Sequence, residues 1–279
     1  MLRNTLLVVG AIAPFSLAGL FVSSGENSSV EPNAATKNVV FASCCAPEAE
    51  AAAEPVEPTN IQDGARGDAV VKGKVRFDGE APKRDAVDMK ADGICVKAHE
   101  TPVLKEDVIV GKEGAFKNVF VYVKKGIEGK YEAPKEAVTV DQKGCVYIPH
   151  VFGIVAGQKI NIKNSDATTH NVHSYGKKNK AINQGQPPGA GDLSVEWKAS
   201  EMSLWIKCDM HSWMSTICHV MKHPFFTVTD DNGMFEIKGL PAGKYTIAAI
   251  HETLGEQTVE VEVAAKDSKD ANFTFSAKK

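Results

Sequence analysis

The run Trp205-Ile-Lys-Cys-Asp-Met-His-Ser-Trp-Met214 places Cys208, His211 and Met214 at C-x₂-H-x₂-M spacing, directly after a short apolar strand. Period-two alternation sets Leu204, Ile206 and Cys208 on one face of that strand. Cys208 therefore points inward, and the residues after it form a loop at the end of a barrel. Upstream, Lys163-Asn-Ser-Asp-Ala-Thr-Thr-His-Asn-Val-His173 follows a second strand, Lys159–Lys163, and brings His170 to another strand end. One thiolate, two imidazoles and a thioether make a soft, mixed N/S donor set. Copper moving between Cu(I) and Cu(II) uses such a set, with a trigonal His₂Cys plane and a weak axial Met. Three donors on one tight loop and a fourth on a different strand hold the geometry against a change of charge.

Outward from these two segments, the chain of 279 residues has room for one large domain or two ordinary ones. Hydrophobic residues make up 43% and charged residues 24%, which excludes a fibrous or wholly disordered protein. Lys and Arg total 32 against 35 Asp and Glu, and a net charge of −3 argues against a nucleic-acid binder. Six Cys are too few for a disulfide scaffold. Histidine is unevenly spread: seven of eight follow residue 149.

Residues 1–24 read as an export signal. Arg3 precedes an uncharged run from Thr5 to Val22, and the small residues Ser23, Ser24 and Gly25 offer a cleavage site. The same run is near the shortest span of a bilayer, so residues 5–22 would also serve as a membrane tether. Cys44, in Phe-Ala-Ser-Cys, resembles a lipidation site but lies far past the apolar run. Residues 25–66, rich in Ala, Glu, Pro, Asn and Ser, read as a disordered linker. The exported body, without Arg3, carries −4 and is placed in the periplasm or cell envelope.

From residue 67 onward, short alternating runs bounded by turn residues predict an all-β fold. They are Val70–Phe77, Val119–Val123, Lys159–Lys163, Ser203–Cys208, Phe226–Thr229, Met234–Ile237, Tyr245–Ile250 and Val259–Val263. Asp231-Asn232-Gly233 predicts a hairpin, and only residues 84–100 read as helical. The tail from Thr227 to Ile247 resembles the carboxypeptidase-regulatory, transthyretin-like β-sandwich. Gly73-Lys-Val-Arg-Phe-Asp-Gly79 and Asn118-Val-Phe-Val-Tyr-Val123 resemble that family's opening strands. The expected layout is 67–135 as its N-terminal strands, 136–222 as an inserted domain, and 223–279 as its remainder. Simple tandem order is the alternative.

The stretch 138–222 resembles the cupredoxins, the plastocyanin–amicyanin–azurin family of blue copper proteins with a Greek-key β-sandwich or barrel. Gly157-Gln-Lys-Ile-Asn-Ile-Lys-Asn-Ser-Asp166 resembles the family's G-x-x-V-x-F-x-N-x-D strand. Thr169-His-Asn-Val172 resembles its P-H-N-V, with Thr169 in place of Pro, and the 208–214 loop has amicyanin-like spacing. By position the resemblance implies one type 1 copper held by His170, Cys208, His211 and Met214. It also implies that Asn171 hydrogen-bonds across to the ligand loop. The implied function is outer-sphere electron transfer without enzymatic turnover. His211 would be the electron exit, with Met210 and Trp213 as its apolar rim, and a redox protein would dock there. Trp213 would alternatively shield the metal.

Other readings compete. A lone C-x₂-H-x₂-M is ordinarily a buried Cys beside a surface His. Cys208, His211, Cys218 and His223 have zinc-type spacing, but Cys218 falls within an apparent strand, Ser215–Met221. No C-x-x-C-H haem run occurs, and no H-x-H pair for a second copper centre that would handle O₂ or nitrite. His173 reads as a surface histidine and His150 as a turn residue. His99 and His251 show no partner. Cys95 and Cys145 are a candidate disulfide, although spacing does not determine connectivity, and Cys218 is then a free buried thiol. The rival function is a copper-storage or delivery module, or a cell-envelope binding module with a structural metal. Such a module needs an open site with readily exchanged ligands.

Overall fold

The computed structural model describes residues 66–277. The export segment, the tether, nearly all of the linker and Cys44 lie outside the described residues. In chain order the strands begin with β1 (Ala69–Asp78), β2 (Phe120–Lys125), β3 (Val138–Gln142), β4 (Tyr147–Ile148), β5 (Val151–Val155) and β6 (Lys159–Asn164). They continue with β7 (His170–Tyr175), β8 (Asn183–Gln186), β9 (Leu193–Glu196), β10 (Glu201–Lys207), β11 (Ser215–Met221) and β12 (Phe226–Val228). The last are β13 (Met234–Leu240), β14 (Gly243–His251), β15 (Gly255–Val263), β16 (Ser268–Asp270) and β17 (Phe273–Ser276). One short helix, α1 (Gly93–Lys97), lies between β1 and β2. The fold is all-β.

Two pairs of sheets each enclose a core. The outer pair is β13-β1-β16, with β17 also on β1, and β12-β2-β14-β15. Val71, Val75, Phe77, Val121, Val123, Ile237, Ile247 and Phe273 fill the space between them. The inner pair is β5-β11-β10-β7-β8 and β4-β3-β6-β9, around Val140, Ile154, Ile160, Ile162, Val172, Leu204, Ile206 and Val220. The chain thus builds β1 and β2, makes every strand of the inner pair, and returns to the outer pair at β12.

A third cluster joins them, in which Phe120, Tyr122 and Ala248 meet Val151, Ile217 and Met221. It explains why β2 and β11 are apolar on both faces, since each is covered by its own core on one side and by this junction on the other. His219, on β11, stacks on Phe120 with ring centroids 4.1 Å apart.

The Asp231-Asn232-Gly233 turn forms, but it closes no hairpin. β12 pairs with β2 and β13 pairs with β1, so the turn carries the chain from one sheet to the facing one. Gly233 has φ +70° and a Cβ there would lie 2.4 Å from the Val75 carbonyl, so only glycine fits.

Residues 85–105 form a strap over one end of the inner pair. Its two arms pair through Val87 N–H to Val103 O (2.8 Å) and Lys105 N–H to Asp85 O (2.9 Å). Met89 and Cys95 enter the inner core. Cys95 and Cys145, the candidate pair, are disulfide-bonded, which ties α1 to the β3–β4 loop.

Candidate metal centre

The loop after β10 carries the cysteine, and alternation sends its side chain into the core with Leu204 and Ile206; all three are buried. The loop closes on itself through Met214 N–H to His211 O (2.9 Å) and Cys208 N–H to Met214 O (3.2 Å). β7 lies antiparallel beside β10, with Lys207 opposite His173, so His170 at its first position reaches the same end of the sheet.

There, His170 and His211 bring their Nδ1 atoms to 2.9 Å of each other. Cys208 Sγ lies 3.7 Å from His211 Nδ1. Donor atoms of the three residues all fall within 4.8 Å of one another, with exposures of 0%, 2% and 4% for His170, Cys208 and His211. Met214 is buried in the same cluster as Cys208.

Two carboxylates settle which nitrogens face inward. His170 Nε2–H donates to Asp166 Oδ2 (2.9 Å) and His211 Nε2–H donates to Asp92 Oδ2 (3.1 Å). With the outer nitrogens protonated, the inner Nδ1 atoms of the neutral rings are both acceptors. Two buried acceptors and a thiol sulfur facing one another are unsatisfied unless a proton or a cation lies between them. The donor set is thus chemically fit for one soft or borderline metal ion, with each ligating imidazole oriented from behind.

Electrostatics agree with this pairing. Burial opposes a charge on His170, but hydrogen bonds to Asp166 and Cys208 outweigh it and raise its pKa to about 9. Burial likewise opposes a thiolate at Cys208, yet the bonds from His170 and from the Asn171, His211 and Met210 backbone N–H groups lower it to about 7. Asp92 is lowered to about 2 by the Thr168 hydroxyl and the Ile94 N–H.

Asn171 joins the two segments. Its N–H points at Cys208 Sγ (3.4 Å), its Oδ1 accepts from Asp209 N–H (2.6 Å), and its Nδ2 donates to Asp209 Oδ2 (3.1 Å). His173 bonds Asp209 (2.9 Å) at the surface. His150 lies in the bend between β4 and β5, half-buried, with its ring between Glu252 (3.2 Å) and Glu106 (3.8 Å). His99 and His251 do have partners, the Gly144 carbonyl (2.6 Å) and the Thr253 hydroxyl (3.1 Å). Cys218 is a buried free thiol in the core, and His223 bonds the Val123 carbonyl, so the zinc-type spacing does not become a cluster.

The His211 ring is buried and its Nε2 is bonded by Asp92. Trp213 covers another side, its ring 5.1 Å from His211 and its Nε1–H donating to the Cys145 carbonyl (3.0 Å). Met210 alone of the loop's apolar residues is well exposed, at 56%.

The two carboxylates escaped the sequence reading. Asp166 stands four residues before His170 within the stretch quoted above, where its pattern match assigned it no role. Asp92 is 119 residues from His211, and no spacing connects them.

No protein-family model and no curated protein matches the chain. Among solved structures it is similar to a purple cupredoxin from Nitrosopumilus maritimus, at 17% identity and TM-score 0.26, covering 30% of this chain and 99% of the other. It is similar to an oxidized mutant of amicyanin at 18% identity and TM-score 0.28, covering 42% of this chain and 94% of the other. A copper-containing nitrite reductase from Thermus scotoductus SA-01 also matches, at 16% identity and TM-score 0.30, over 36% of this chain. The chain spans 25% of that enzyme's length.

Proposed function

We propose that the protein is an exported electron carrier with one type 1 copper held by His170, Cys208, His211 and Met214, and that it turns over no substrate. The observation that carries this reading is the convergence of two imidazole Nδ1 atoms and Cys208 Sγ in a buried pocket, each ring held from behind by a carboxylate. Copper bound there supplies one-electron chemistry between Cu(I) and Cu(II).

The chain's part is to hold the donors still. β7 and β10 fix His170 and Cys208, the 208–214 loop is closed by its own backbone bonds, and Asn171 ties the two together. Burial excludes water, which keeps the cost of reorganisation low when an electron arrives or leaves. A delivery module needs ligands that exchange readily, and a capped, buried His211 favours retention instead. The partner is a redox protein, met at the rim where Met210 is exposed beside Trp213. The apolar run at residues 5–22 and the Cys95–Cys145 disulfide both support an oxidising compartment outside the cytosol.

Voltammetry of the copper-loaded full chain tests this. One reversible one-electron couple, absent from the zinc-loaded protein, is expected. Copper lost on reduction, or no couple at all, would overturn the carrier reading.

A further inference from the structure

We propose that Asp92 is a positioning residue of the metal centre, supplied by the strap from outside the ligand-bearing strands, and that it fixes the His211 ring and closes its outer edge. The proposal rests on the copper reading above. The strands and connecting loops of the inner pair supply the ligands and one carboxylate, Asp166. The second carboxylate arrives separately, on a segment that the Cys95–Cys145 bond ties to the β3–β4 loop.

The geometry is specific. Asp92 Oδ1 accepts from Ile94 N–H (2.7 Å) and so caps α1. Its Oδ2 accepts from the Thr168 hydroxyl (2.7 Å) and from His211 Nε2–H (3.1 Å). One carboxylate thus ties together the strap, the loop before His170 and the loop of His211. Cys95, three residues on, lies with its Sγ 3.8 Å from His211 Nε2. Beyond the disulfide, Gly144 N–H (2.6 Å) and Cys145 N–H (2.8 Å) donate to Asp166, which holds His170. The disulfide therefore links the two segments that aim the two carboxylates.

A carboxylate hydrogen-bonded to a ligating imidazole fixes the tautomer and makes the ring a stronger donor. Cu(II), the harder and more highly charged state, gains more from that than Cu(I). Asp92 should then lower the reduction potential and slow the loss of copper.

Asp92→Asn is the discriminating variant. Asn keeps the cap on α1 through Oδ1 but puts an NH₂ donor where Oδ2 accepts from His211 Nε2–H and the Thr168 hydroxyl, so the charge and the bond to His211 are both lost. In the full chain loaded with copper, the expected result is a more positive potential. Cu(II) affinity, read by competition with a chelator, should fall about 10–100-fold. Thr168→Val should shift both in the same direction by less. The Cys95→Ser/Cys145→Ser double variant should weaken copper retention with Asp92 intact. Unchanged potential and affinity in Asp92→Asn would overturn the proposal while leaving the copper reading standing. A wild-type chain with no thiolate–copper absorption would overturn the copper reading. In that event, long-range ¹⁵N–¹H spectra of the metal-free protein decide for Asp92: His211 protonated at Nε2 in the wild type supports positioning, and protonation at Nδ1 contradicts it.

Discussion

Histidine is used in opposite ways in the two halves of this molecule. At the junction and in the outer core, His219 and His251 are packed as rings, on Phe120 and Phe116 respectively. Burial lowers their pKa values to about 3 and about 4. At the far end of the inner sheets His170 is fully buried too, yet its pKa is raised to about 9 because Asp166 and Cys208 answer its charge. Burial alone does not decide what an imidazole does. The neighbours do, and among the described residues a soft donor set converges at one end of the inner sheets.

The sharpest way to break this contrast is at the sulfur. Cys208→Ser should abolish the visible thiolate-to-copper absorption altogether, whereas Cys218→Ser, in the same core but away from the cluster, should keep it. A coloured Cys208→Ser protein would make the ligand set wrong.

Next in size are paired core truncations. Ile206→Ala lies on the Cys208 face of β10 and Ile247→Ala in the outer core; both residues are fully buried. Each should cost about 2–5 kcal/mol in denaturant unfolding. Only Ile206→Ala should also broaden the copper EPR signal, because only that cavity lets the loop relax.

The acid limb separates the two kinds of histidine. His219 and His251 bind protons more weakly folded than unfolded, so the unfolded chain gains protons first and stability falls as pH drops from 6.5 towards 3. His219→Phe should flatten that limb in denaturation curves followed from neutral to acid pH. His170 has the opposite sign: in the metal-free protein its contribution is complete below 6.5 and is lost as pH rises through about 9. Smallest is Met214→Leu, which should retain the colour and raise the potential, as expected when a thioether next to the site is replaced by an alkyl group.

Much of this was legible in the sequence. Strands such as β1 and β15 alternate because one face meets a core and the other meets water, and that pattern survives in a single chain. Cys208, His211 and Met214 were legible because a tight loop keeps them close in sequence, and His170 because it opens a strand. The 231–233 turn was legible as a turn but not in what it joins, since strand pairing is set by distant partners. The strap was least legible. Asp92 meets His211 across 119 residues of chain, and its local sequence shows no more than a helix cap.

The most direct test is a visible and EPR spectrum of the full chain after Cu(II) addition, repeated after ascorbate. An intense blue or green band with narrow copper hyperfine splitting, bleached by ascorbate and restored on reoxidation, is the predicted result. A colourless protein that keeps zinc through dialysis would contradict it.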